Sequence, residues 1–128
     1  MLKKDIKDIA LSSPKLAFQY YSLGGELTPE IKNKIKESSY YTYEYFEYYN
    51  LDKEMYSGIN NVRDITLLLT NGFSVKKDFF KAILKQDYLV YNNVDSLNTF
   101  KDCLTKYKEK HREYANEVDK ILLKEFKY

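Results

Sequence analysis

Apolar side chains recur every 24 residues along this chain, and that period restricts its fold more than any motif does. Ile35, Ile59, Ile83 and Tyr107 form one column, Ile31, Met55, Phe79 and Cys103 a second, and Tyr43, Leu67 and Tyr91 a third. A fixed period in this range marks supersecondary units that stack because none buries its apolar face alone.

The helix signals fall in phase with the columns. Ser13-Pro14 supplies a hydroxyl cap and a proline at the first helical position ahead of Leu16, Ala17, Phe18, Tyr20 and Tyr21, and Gly24-Gly25 ends that segment. Thr28-Pro29-Glu30-Ile31 repeats the start signal, with Glu30 in the first turn and Ile31 and Ile35 on one face. A second unit is expected from Ser38-Ser39 through the tyrosines, breaking near Asn50 to Asp52 and resuming at Met55, Tyr56 and Ile59. A third begins near Arg63-Asp64 and breaks at Asn71-Gly72; a fourth opens at Gln86-Asp87, runs through Tyr88 to Tyr91 and breaks at Asn92-Asn93.

From Leu97 onward the apolar positions step by three and four through Phe100, Leu104, Tyr107, His111, Tyr114, Val118 and Ile121. This spacing predicts one helix over 96–127, about 45 Å long. The expected architecture is therefore all-α, a single domain over 1–128. It comprises a capping helix at 1–12, with Lys3, Lys4 and Lys7 on its polar side, about four hairpin repeats over 13–95 in a solenoid-like array, and the long helix.

Composition narrows the function classes. One cysteine excludes an internal disulfide, the N-terminal residues lack a signal-type apolar run, and no apolar stretch is long enough for a membrane span, so a cytoplasmic setting is expected. A net charge of +2 is too balanced to imply nucleic acid, and only Arg63 and Arg112 among 21 cations carry the bidentate fork. Residues 37–54 hold five carboxylates against Lys53, a local net of −4.

No cofactor, metal or catalytic signature is present, and the chain reads as a non-enzyme. His111 stands alone without a framed serine nucleophile, Cys103 occupies a packing column, and the pairs Glu44/Glu47 and Asp52/Glu54 lack a calcium-type loop. The segment 40–49 is the strongest binding candidate. Its seven aromatics in ten positions exceed what one buried helical stripe accommodates. With Tyr41, Tyr45 and Tyr48 taken as the inner stripe and Tyr43 and Phe46 at its edge, Tyr40, Glu44, Glu47 and Tyr49 face outward and suit a basic protein surface.

The stretch Ser13-Pro14-Lys15-Leu16-Ala17-Phe18-Gln19-Tyr20, followed by Gly24-Gly25, Pro29-Glu30-Ile31 and Ile35, resembles the short helical-hairpin repeats of uncharacterised proteins of tailed bacteriophages and other viruses. The resemblance spans roughly 9–107, and departs from the pattern in lacking tryptophan and the later prolines. It implies a viral origin and a binding role, such as inhibition of a host defence, replication or transcription protein, and transfers no functional residue. Two alternatives come from other classes: a homodimeric scaffold joined through a seam of Tyr107, His111, Tyr114, Val118 and Ile121, and a nucleic-acid-binding module, which the acidic aromatic run disfavours.

Overall fold

The computed structural model describes residues 3–49, 51–73 and 75–126, with side chains from Ile6 onward. Met1 and Leu2 of the expected capping helix, the side chains of Lys3, Lys4 and Asp5, the break residue Asn50, and Lys127 of the long helix lie outside them. The described residues are helical without a strand, as the period implies. They belong to two compact units, 1–59 and 60–128.

Unit 1 contains α1 (Lys3–Ala10), α2 (Pro14–Ser22), α3 (Pro29–Lys36), α4 (Ser39–Tyr48) and a 3₁₀ turn over Lys53–Gly58. From α2 onward each start in this unit is capped by a side chain. Ser13 accepts from the Leu16 N–H at 3.1 Å, Thr28 from Ile31 at 3.3 Å, Ser38 from Tyr41 at 3.2 Å and Asp52 from Glu54 at 3.1 Å. Gly24 ends α2 in the left-handed region, at φ 98°. Around α3, helices α2 and α4 and the 3₁₀ turn close on a core of Ala17, Ile31, Ile35, Phe46, Met55 and Ile59.

Unit 2 contains α5 (Val62–Thr70), α6 (Lys77–Leu84), α7 (Val94–Lys110), a 3₁₀ turn at Arg112–Tyr114 and α8 (Ala115–Phe126). Helix α5 packs on α7, and α8 packs on both α6 and α7. The core holds Val62, Ile65, Leu68, Phe79, Phe80, Phe100, Leu104 and Val118, all fully buried. Asn93 and Ser96 form a reciprocal capping box at the start of α7.

The period survives as element register: α3, the first 3₁₀ turn and α6 begin at Pro29, Lys53 and Lys77, which are 24 residues apart. Three local expectations are corrected. The second half of the second unit is a 3₁₀ turn rather than an α-helix, and Ile59 lies beyond it in extended backbone. The segment opening the fourth unit, Gln86 to Tyr91, is not helical: Val90 pairs with Asn61 in a parallel bridge, its N–H donating to Asn60 O at 2.8 Å and its carbonyl accepting from Val62 N–H at 3.0 Å. Satisfied by that pairing, the β-branched Val90 does not need a helix.

The helix expected over 96–127 begins at Val94 and breaks at His111, where φ −128° and ψ 74° leave the helical region. Its second half folds back. This buries Val118 and Ile121, which a straight projecting helix would leave in water, and places Lys108 Nζ 2.8 Å from Asp119. The three-four spacing runs through the break because both halves bury their apolar sides.

Candidate functional site

The tyrosine-rich segment is helical, despite the strand preference of its residues, because Ser38 caps it and two helices receive its inner side. Packed against α2, α3 and the 3₁₀ turn, α4 buries Thr42, Tyr43, Tyr45 and Phe46. Thr42 satisfies its hydroxyl by donating to Ser38 O at 2.8 Å. The inner stripe is thus centred one position away from the sequence expectation. Tyr45 is buried, Tyr41 only half-buried, and Tyr48 points outward with 65% of its surface exposed.

The outer side carries Tyr40, 47% exposed, then the half-buried Glu44, the exposed Glu47 and Tyr48, with Tyr49 at the helix end 39% exposed. The neighbouring Glu44 carboxylate raises the Tyr40 hydroxyl above the ordinary tyrosine pKa. Tyr49 leans away from this row toward α2, its ring 4.6 Å from Tyr21 and 5.6 Å from Tyr45. Tyr45 is held with its hydroxyl 3.4 Å from Asp52, and burial pushes its pKa up to about 12.

Helix α2 supplies residues that the sequence reading missed. Phe18 lies 6.5 Å from Tyr48 and 6.3 Å from Tyr49 between ring centroids, and with Ser22 these residues line an open groove of about 450 Å³. Tyr48 was recoverable from spacing, since 40, 44 and 48 are i, i+4 and i+8 on one helical face. The contribution of Phe18 was not, because it comes from the pairing of α2 with α4.

The other candidates resolve into structure. Asp52 and Glu54, considered as a carboxylate pair for a cation, both hold the Lys32 ammonium, at 2.9 and 3.0 Å. Cys103 is half-buried, and burial pushes its thiol up to about 11, which suits packing rather than nucleophilic chemistry. His111 stacks on Tyr107 with centroids 4.3 Å apart, and its Nδ1 lies 3.9 Å from Glu113. Among the described residues no cluster of three or more metal-ligating side chains forms, and no helix is long and apolar enough to cross a membrane.

The seam proposed for a dimer does not form a continuous outer stripe. Val118 and Ile121 are buried within unit 2, while Tyr107 and Tyr114 each pack 5.5 Å from Phe80. The break at His111 turns these positions toward their own unit. No family model, curated protein or solved structure matches the chain.

Proposed function

We propose that this chain is a binding protein that docks a basic surface of another macromolecule through the outer face of α4, without chemistry of its own. Three exposed tyrosines, Tyr40, Tyr48 and Tyr49, beside Glu44 and Glu47 on a helix that contains no cation, carry this reading. Tyrosine buries a large area at low entropic cost and keeps a polar tip, so a few such residues dominate interface energy. Tyr48 and Tyr49 are held from behind by Phe18 and Tyr21, and Tyr40 lies against Tyr41, so the rings present a prepared surface.

The wider proposal is a short array of about four helical-hairpin repeats of bacteriophage or viral origin. It acts in the host cytoplasm by covering a functional surface of a host protein, such as one of defence, replication or transcription. The 24-residue register of helix starts supports the repeat, and the sequence resemblance supports the origin.

The test is affinity capture from a bacterial lysate with the unaltered chain and with a variant carrying Tyr40→Ala, Glu44→Ala, Glu47→Ala and Tyr49→Ala, with Tyr48→Ala added in a second variant. Loss of the same captured protein from both, with unchanged helical circular dichroism, is expected. Capture of that protein at wild-type level by the second variant overturns the assignment.

A further inference from the structure

Unit 2 has a concave surface of its own. Two adjoining cavities of about 370 and 230 Å³ share Leu69, Thr70, Tyr107 and Lys110, and together form a groove between the end of α5 and the second half of α7. The larger falls in the range of small-molecule sites, roughly 300–1,000 Å³. Its apolar wall is Leu69, Phe73 and Val75.

One end of the groove is a shelf of rings. Tyr107 and His111 stack at 4.3 Å, Tyr114 lies near-parallel to Tyr107 at 18° and 6.4 Å, and the fully buried Phe80 backs both tyrosines. The break at His111 creates this arrangement, because a continuous helix would carry Tyr114 along its axis and away from Tyr107. Beside it the groove is basic. Lys106 lines the smaller cavity and Lys110 both cavities, one turn apart on α7, and neither ammonium has a carboxylate within 4.0 Å among the described residues, whereas Lys108 is engaged by Asp119 at 2.8 Å.

We infer that this groove binds a nucleoside phosphate, with its base on the Tyr107–His111–Tyr114 shelf and its phosphate at Lys106 and Lys110. Every nucleobase offers a π face, and stacking on an aromatic side chain holds it without sequence preference. A lysine ammonium meets phosphate as a point charge with three donors. An anion without a ring leaves the shelf unused, and an uncharged ring leaves two unpaired ammonium groups at the rim. Glu113, which lines the shelf end beside His111, repels phosphate there and sets the ligand's direction along the groove. The acidic neighbours Asp102 and Glu109 are exposed and do not line either cavity.

The ligand can be a free nucleotide or one nucleotide of a single strand, and the experiment separates the two. The full chain, labelled with nitrogen-15, is titrated with ADP, adenosine, inorganic phosphate, thymidine monophosphate and an oligothymidylate, and amide shifts are followed by NMR. ADP is expected to move amides within 69–73 and 106–114, and to bind more tightly than adenosine or phosphate alone. Tighter binding of oligothymidylate than of its monomer assigns a strand; equal binding per nucleotide assigns the free nucleotide.

Replacing both lysines, Lys106→Gln with Lys110→Gln, is expected to weaken ADP roughly tenfold and leave adenosine unchanged. His111→Ala, at a side chain 42% exposed and therefore tolerant of truncation, is expected to weaken both. The α4 alanine variants in unit 1 bind ADP as the unaltered chain does, so this site and the α4 face fail or stand separately. No amide movement with millimolar ADP or oligothymidylate, or folded lysine and His111 variants that bind like wild type, overturns the inference.

Discussion

Two glycines and one carboxylate show how single residues set local limits. Gly58 closes the 3₁₀ turn of unit 1 where a Cβ would lie 2.9 Å from Lys36 Cα and run into the Thr42 hydroxyl. Backbone and a fully buried Thr42 cannot give way easily, so Gly58→Ala is expected to destabilise by about 1–3 kcal/mol, read as a lower denaturant midpoint. Gly24 has open space around it but a φ of 98°, so Gly24→Ala carries only the backbone strain, roughly 1–2 kcal/mol. Asp64 is the reverse case. It sits in the first turn of α5, where a negative charge gains about 0.3–1 kcal/mol from the helix dipole, but both of its oxygens are buried without a hydrogen-bond partner among the described residues. Arg63 Nε approaches only to 3.6 Å. A buried carboxylate with no hydrogen bond and one long ion pair costs more than that dipole gain, so Asp64→Asn is expected to raise the melting temperature, by the equivalent of about 1 kcal/mol. A lower melting temperature for this variant shows that the carboxylate is a net asset.

Between elements, the Lys32 contacts tie α3 to the segment that opens the 3₁₀ turn and give unit 1 a defined pH window. Burial pushes the Asp52 carboxyl up, but hydrogen bonds from Lys32 and the Glu54 N–H outweigh it and leave the group below its ordinary value of 3.8. Since the native pKa is depressed, the stabilisation is complete above 3.8 and lost as pH falls through the native value. Lys32 is raised above 10.5 by Asp52 first and Glu54 second, so its share is complete below 10.5 and lost as pH rises through the native value. Asp52→Ala also removes the turn's cap and is expected to cost about 1–2 kcal/mol at neutral pH, with most of the difference gone in strong acid, as melting curves of both proteins across pH will show. In unit 2 the return of α8 depends on Ile121, which is 1% exposed. Ile121→Ala is expected to destabilise by about 2–5 kcal/mol without changing the molecular mass measured by light scattering, whereas a change of mass would restore the intermolecular seam.

Across the whole molecule, charge is unevenly placed: the net of +2 combines an acidic run over 37–54 with a basic excess after residue 60. If the α4 face meets a basic partner, raising ionic strength shortens the Debye length from about 8 Å near physiological salt to about 3 Å at 1 M, so capture is expected to fall steeply with salt. Capture that is insensitive to salt shows that the rings alone hold the partner. The helical class, the caps at Ser13, Thr28 and Ser38, the stop at Gly24 and the starts near 29, 53 and 77 were legible from residue order. They depend on interactions within a few residues and on apolar spacing, both of which are written along the chain. Phe18 joining the groove, Val90 pairing with Asn61 and the break at His111 were not legible in the same way. Each is settled by a partner distant in sequence: α2 and α3 choose which arc of α4 is covered, and the apolar surface of α6 and α7 draws α8 back on itself. Local order therefore determined where the capped helices start, while tertiary packing decided that 86–91 pairs instead of coiling, that the last helix divides at His111, and which sides of the helices remain in contact with water, because burial is a property of the assembled neighbours rather than of the residue.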